Sequence, residues 1–219
     1  YVESGKIGAV KVAYGLCYKP RASIGNTTSP QKVAETIDYN LWCGPAPMEP
    51  PLRNSVVHGT VHYDWHWFWN YGGGDLCNQA IHEIDIARWF LNTHEVSAEV
   101  VSVGGRFGYV DCAETPNTFI SIHNYADAPL ITEVYGLTSD GKMNGPMNKF
   151  GKFKKAPDIG IVVECENGTI VVPDYNSAQA YDTKKRLGEE FPELAAEDAV
   201  DIVVLKTSGD MILDKVING

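Results

Sequence analysis

From Asp75 to Asn92 the chain runs eighteen residues, DLCNQAIHEIDIARWFLN, without a glycine or proline. An aspartate at the start and Asn92–Thr93 at the end supply helix start and stop signals. At 100° per residue, Cys77, Ala80, Ile81, Ile84, Ala87 and Leu91 fall on an apolar face, while Asn78, His82, Asp85 and Trp89 share a second one. A helix with one apolar stripe must lay it on something, and the segments around it have the period of strands.

Residues 7–18 (IGAVKVAYGLCY) are rich in Val, Ile and Tyr and predict an opening strand. Further strands are expected at 97–107, 117–124, 130–137 and across 159–173, where Asn167–Gly168 reads as a two-residue hairpin turn with positive φ. Between these lie a Pro/Gly/Ser/Thr loop at 19–35 and the tract LWCGPAPMEPP, whose four prolines exclude helix and central strand. A loop with five lysines follows at 140–158. A short helix at 183–200, broken at Pro192, and a hairpin around Ser208–Gly209 complete the reading. About seven strands with one strong helix make an α+β domain, an open, mainly antiparallel β-sheet with its helices on one face, rather than a βαβ series.

Composition excludes several function classes. Eighteen basic against 28 acidic residues leave a net charge of -10, the wrong sign for a phosphate backbone, so no nucleic-acid partner is expected. No apolar run approaches the roughly 18 residues of a membrane helix. Five scattered cysteines form no C-x-x-C pair, and an odd count cannot close into a full disulfide set. The first residue is Tyr and the opening already reads as domain sequence, so a targeting signal would lie upstream and the chain reads as a piece of a longer protein.

Three constellations carry candidate chemistry. Gly104, Gly105 and Gly108 lack the G-x-G-x-x-G spacing, and Gly72–Gly74 follow an aromatic tract rather than a strand. Neither predicts a dinucleotide cradle. His58, His62 and His66 recur every four residues, but no cysteine and only Asp64 stands near, so a metal site, and with it a metal-dependent isomerase, is a minor rival and no metal is expected. The tract VHYDWHWFWNY at 61–71 holds three of the five tryptophans and predicts packing plus the wall of a pocket. In the helix stripe, His82 can move a proton near neutral pH whereas Asn78 can only exchange hydrogen bonds. The residues alone leave two readings open there: a proton-transfer site, or His82 and Asp85 bracing neighbouring backbone.

The string GGGDLCNQAIHEIDIARW, with WCGPAP and GKIGAVKVAYGLCYK upstream, closely resembles the substrate domain of the Gfo/Idh/MocA oxidoreductases. It is most similar to the bacterial branch carrying G-D-x-x-N-Q-x-x-H-E-x-D before A-R-W, from about residue 5 to residue 181. The resemblance implies a preceding Rossmann domain that binds NAD or NADP and supplies a lysine from a Glu-Lys-Pro motif; neither is in this sequence. Residues 1–219 are then a single substrate-binding and dimerisation domain, expected to be inactive and to bind no dinucleotide alone. The family's histidine falls on His82, implied as the catalytic acid/base. Its aspartate falls on Asn78, an amide that cannot shuttle protons. Asn78, Asp85, Tyr18, Lys19, His66 and Trp67 are the implied substrate contacts. The implied reaction moves a hydride from a sugar or polyol carbon to the nicotinamide while a base takes the hydroxyl proton. The alternative is a non-catalytic sugar-binding or oligomerisation module. Relatives of this kind are cytoplasmic or carry an upstream twin-arginine signal.

One helix covers one face of such a sheet. In NTFISIHNY and LITEVYGL both parities keep apolar side chains, so the open face predicts a homodimer or higher homo-oligomer, in line with the family's pairing habit.

Overall fold

Small residues on one side of a central strand decide how closely the main helix can lie on the sheet. In the computed structural model, which describes residues 1–53, 59–108, 110–137, 150 and 158–182, that strand is β1 (Val10–Cys17). Ala13, Gly15 and Cys17 face the helix side, while Tyr14, Leu16 and Tyr18 pack on the opposite side. A methyl group on Gly15 would lie 3.2 Å from the Glu83 Cβ, so glycine here sets the helix-to-strand spacing. Small Ala80 and Ala87, both fully buried, answer it from the helix.

Six further strands complete the sheet: β2 (Glu99–Gly105), β3 (Thr118–Asn124), β4 (Leu130–Tyr135), β5 (Ile159–Cys165), β6 (Gly168–Asp174) and β7 (Ser177–Asp182). Their spatial order is β2-β3-β4-β1-β5-β6-β7. Every pairing is antiparallel except β1 with β4, which run parallel with Gly15 opposite Thr132. The expected α+β class with an open, mainly antiparallel sheet is therefore the observed one. Short α1 (Tyr39–Cys43) starts on Asp38, whose carboxylate accepts from the Leu41 N–H at 3.0 Å. The sequence reading had this stretch as part of an extended Pro-rich segment. A 3₁₀ turn at Asp64–Trp67, likewise unanticipated, precedes α2 (Gly74–Asn78) and α3 (Ala80–Phe90).

The helix side of the sheet is the main core. Ala87 and Leu91 of α3 join Ala13, Leu130, Ile161, Val163, Ile170 and Val172. Each fully buried Leu, Ile or Val contributes about 1.5–3 kcal/mol of apolar transfer. On the far side Leu16, Val162, Val171 and Tyr181 are buried, and Phe150 meets the Tyr14 ring edge-on at 5.0 Å. Toward β2 and β3 that side is open. Val101, Val103, Ile120 and Ile122 face solvent there, Val103 with 73% of its surface exposed.

Three local expectations need correction. The single helix expected over 75–92 is two segments, α2 and α3, separated at Gln79. Its buried face is rotated from the one expected: Cys77 and Ile81 are exposed, and the inward positions, Leu76, Ala80, Glu83, Ile84, Ala87 and Leu91, keep one helical period through Gln79. Asp75 is not the N-cap; Gly73 holds that place and Asp75 is buried inside the first turn. At the other end Asn92, at φ +49, supplies the left-handed residue that stops the helix. The β5–β6 hairpin turns at Glu166–Asn167, and neither Asn167 nor Gly168 has positive φ. Gly168 is required by crowding, since a Cβ there would lie 2.5 Å from the Tyr181 carbonyl oxygen. The loop at 140–158, for all but its described Phe150 and Asp158, lies outside the described residues, as do the helix expected at 183–200 and the hairpin around Ser208–Gly209.

All five cysteines are free thiols, three of them buried. Burial and the Glu166 carboxylate push Cys165 up to about 11, so it stays protonated and packs as a small apolar group. Among the described residues no helix is long and apolar enough to cross a membrane.

Candidate functional site

The break at Gln79 builds a polar cluster where α2 hands over to α3. Lys19, just past the end of β1, donates to the Gln79 side-chain oxygen at 2.9 Å. The Gln79 amide nitrogen donates in turn to the Tyr175 hydroxyl at 2.6 Å and to Glu83 Oε1 at 3.2 Å. Tyr175 completes the loop by donating its own proton to Glu83 Oε1. The donor order is consistent throughout: a cation at one end, a carboxylate at the other, and neutral groups polarised between them.

Glu83 is the group under tension. It is fully buried over Gly15, and its Oε2 has no hydrogen-bond partner among the described residues. Burial raises its pKa above the ordinary carboxylate range, although the bonds from Tyr175 and Gln79 pull the other way. Burial also raises Tyr175, and the adjacent Glu83 carboxylate adds to it, so the phenol remains a donor. A raised carboxyl pKa means that the stability it contributes is full below its unfolded value of about 4.3 and is lost as pH rises through the folded value. Glu83→Gln, which cannot ionise, should therefore narrow the difference in melting temperature between about pH 4 and about pH 8. Thermal melts at the two pH values check this, and an unchanged difference would show that Glu83 carries no buried charge.

His82 stands beside this cluster on the outer surface of α3. Its ring is exposed and meets the edge of Tyr175 with 6.0 Å between centroids. Asp85 and Trp89 continue outward along the same stripe, both exposed. Asn78 is half-buried in α2, before the break, and no hydrogen bond joins it to His82 among the described residues. Of the residues singled out in sequence, the structure thus gathers Lys19, His82 and Asn78 around one helix junction, with Asp85 one turn on.

It separates the others. Tyr18 points to the opposite side of the sheet, buried, with its hydroxyl donating to Glu133 at 2.6 Å. Trp67 is buried and lies under the Arg21 guanidinium, 5.3 Å from ring centre to charge. His66 stacks on Trp65 at 3.8 Å and bonds the Tyr63 carbonyl oxygen through Nδ1, in a 3₁₀ turn rather than the extended segment expected. Each of these three has contacts within the protein. His62 is exposed, His58 lies outside the described residues, and no group of three potential metal ligands occurs among the described residues.

Gln79, Glu83 and Tyr175 were missed by sequence reasoning. Gln79 and Glu83 stood in the motif but off the chosen stripe. Tyr175 sits in the β6–β7 turn, where Asp174 accepts from the Asn176 N–H at 2.8 Å, 92 positions from Glu83, and no local pattern connects the two.

The glycines of the run before α2 make room for the protein's own atoms. A Cβ on Gly72, Gly73 or Gly74 would meet the His66 carbonyl oxygen at 2.8 Å, Cys77 Sγ at 2.5 Å or Thr115 Oγ1 at 2.7 Å. The glycines are filled by the protein itself, and α2 has only five residues.

Residues 6–149 match the family model described as the oxidoreductase family, C-terminal alpha/beta domain, of the Gfo/Idh/MocA group. The chain belongs to the Gfo/Idh/MocA oxidoreductase family. Among solved structures similar to this Gfo/Idh/MocA domain are two WlbA dehydrogenases in complex with NADH and UDP-GlcNAcA. The Bordetella pertussis protein is 17% identical with TM-score 0.44, and the match covers 78% of this chain and 37% of that one. The Chromobacterium violaceum protein is 16% identical with TM-score 0.46, covering 90% and 40%. The transcriptional regulator Gal80p of Kluyveromyces lactis is 12% identical with TM-score 0.44, covering 87% and 38%. The chain therefore spans well under half the length of these structures. A 38-residue stretch is also 58% identical to part of chloroplastic porphobilinogen deaminase of Oryza sativa subsp. japonica, 17% of this chain and 11% of that protein. The shared segment is too short to define a fold or a site.

Proposed function

We propose that this domain is the substrate half of an NAD(P)-dependent oxidoreductase that acts on a hydroxyl group of a sugar, a polyol or a derivative. Family membership supplies the reaction class. The observation that carries the site is His82, exposed on α3 beside a cluster that holds its neighbours in place. A bound nicotinamide would supply the hydride acceptor. Binding of the dinucleotide's phosphates is assigned to a separate domain, as the family resemblance implies.

Within this chain, the His82 imidazole is the group that takes the hydroxyl proton as the carbon is oxidised and returns it in the reverse direction. Asn78 orients the substrate by hydrogen bonding, and Asp85 lies one helical turn further along for a second hydroxyl. Lys19, Gln79, Glu83 and Tyr175 act as positioning residues: they fix the β6–β7 turn against the helix start and set the Tyr175 ring beside His82. An activity assay of the protein that carries this domain, with NAD or NADP and a panel of sugars and polyols, tests the reading through nicotinamide absorbance. Turnover of at least one neutral polyhydroxy compound supports it. A protein that holds the cofactor yet turns over none of them would support the binding-module alternative.

The open face is the proposed homodimer surface. Val101, Val103, Ile120 and Ile122 form an exposed apolar row across β2 and β3, continued by half-buried Ile131 and Tyr135 on β4. Two such faces pressed together would bury more than about 1,000 Å², the level of a specific contact. Ile120→Glu should convert the dimer to monomer in sedimentation at micromolar concentration while leaving the melting temperature of the monomer fold near its starting value. Monomeric parent protein, or an Ile120→Glu protein that remains dimeric, would show that this face is not the interface.

A further inference from the structure

Away from the α3 stripe, the Pro-rich tract and the aromatic tract meet in a cleft of about 540 Å³, within the size range of small-molecule sites. Trp42, Trp65, Tyr71, Asn70 and the Pro45–Ala46 turn line it. We infer that this cleft is a binding site for a neutral saccharide ring, separate from the His82 site and not dependent on the catalytic reading given above.

The walls are held rigidly before any ligand arrives. Arg53 is 2% exposed, and its guanidinium lies 5.0 Å from the Trp42 ring, 5.2 Å from Tyr71 and 5.7 Å from Phe68. It also donates to the Thr60 carbonyl oxygen at 2.7 Å and to the Tyr39 hydroxyl at 3.3 Å. Trp42 is stacked on Tyr39 at 5.5 Å and tilted 53° to Tyr71 at 5.0 Å, so the two indole and phenol walls form a fixed corner. Trp65 is braced by His66 behind it. Pro45, with fixed φ, follows Gly44 at φ +59, which gives the turn its shape. Such preorganisation removes ordering cost from binding.

The chemistry of the lining selects the ligand class. No lining side chain carries a formal charge, and the Arg53 cation beside the cleft is buried, donating through Nε to the Thr60 carbonyl oxygen and through Nη2 to the Tyr39 hydroxyl. A phosphate or carboxylate would find no counter-charge. Aromatic rings offer apolar faces to the C–H side of a pyranose, and the indole N–H edges offer donors to its hydroxyls, while the Tyr71 hydroxyl is held by the Pro47 carbonyl oxygen. Asn70 is exposed, spends an amide hydrogen on Glu49 at 3.0 Å, and keeps its carbonyl oxygen as an acceptor at the mouth. An apolar ligand would leave these polar edges unsatisfied.

Five tryptophans make the test residue-specific, because Trp89 on α3 reports the His82 stripe while Trp42 and Trp65 report the cleft. The indole N–H signals of the full chain, assigned by single Trp→Phe variants, are followed by NMR while methyl β-D-glucopyranoside is added to about 20 mM. The expected result is saturable movement of the Trp42 and Trp65 signals with a millimolar Kd, no movement of Trp89, and affinity at least about tenfold weaker in Asn70→Ala. Asn70 is a surface residue, so that variant is expected to fold, and an unchanged melting temperature verifies it. Movement confined to Trp89 would place the saccharide at the His82 stripe and overturn the inference while leaving the catalytic reading standing. No movement of any signal, an equal response to adenosine, or undiminished binding by a folded Asn70→Ala protein would also overturn it.

Discussion

His82→Ala is expected to lower kcat by about 10²- to 10⁴-fold in the oxidoreductase proposed to carry this domain, the usual worth of a positioned acid/base. The side chain is exposed on α3 and supports no core contact, so its removal opens no cavity and the fold should persist. Steady-state kinetics with circular dichroism on the same preparation reads both quantities. Asn78→Ala should act more on KM than on kcat, because an amide orients substrate without moving a proton. Asn78→Asp is the complementary probe, since it restores the carboxylate that the family commonly places there. Equal activity of His82→Ala and the parent protein would return the stripe to a structural role.

Arg21→Ala is expected to cost about 3–5 kcal/mol of stability, because it strands a buried carboxylate without its partner. Asp75 is 1% exposed, and Arg21 holds it through Nε at 3.1 and 3.0 Å and through Nη2 at 2.5 Å. The same guanidinium donates to the Tyr63 hydroxyl at 2.6 Å and lies over Trp67. It therefore ties the strand-end segment after β1 to the aromatic tract and to the first turn of α2. Arg21→Lys should recover only part of the loss, since an ammonium cannot reproduce the forked contact. Urea denaturation gives the comparison, and a loss below about 0.5 kcal/mol would show that Asp75 finds water or another partner.

The strands were legible because period two survives in short segments. The alternation in TFISIHN and LITEVY marked both the strands and their two faces, and of the apolar residues left on the outer parity Ile120 and Ile122 are exposed while Ile131 and Tyr135 are half-buried. The parallel β1–β4 pair and the turn at β7 were not legible, since pairing partners depend on distant segments. The helix was legible as a helix and misread in its phase. The expected face was centred too far toward Cys77 and Ile81, whereas the buried stripe runs through Leu76, Ala80, Glu83, Ala87 and Leu91, which leaves Cys77 and Ile81 outward and Glu83 inward. A buried glutamate contradicts any hydrophobic wheel. It is tolerated here because Gly15 makes room beneath it and Tyr175, from far along the chain, meets it. Residue type alone did not show that the Tyr18 hydroxyl bonds Glu133 on the far side of the sheet, or that the Trp67 ring is buried beside the Arg21 guanidinium. Lys19 is the opposite case: its place next to the end of β1 brings it to the helix junction, where it meets Gln79.

The proton-transfer role proposed for His82 is tested most directly by chemical rescue. Imidazole added to the His82→Ala protein can enter the space of the missing ring, because that position is open to solvent. The expected result is a saturable rise in kcat whose pH dependence follows the ionisation of the added base, with no rise when imidazole is added to the parent protein. A His82→Ala protein that is folded, retains cofactor and substrate binding, and shows no rescue by imidazole or by smaller substituted amines would contradict the assignment of His82 as the acid/base.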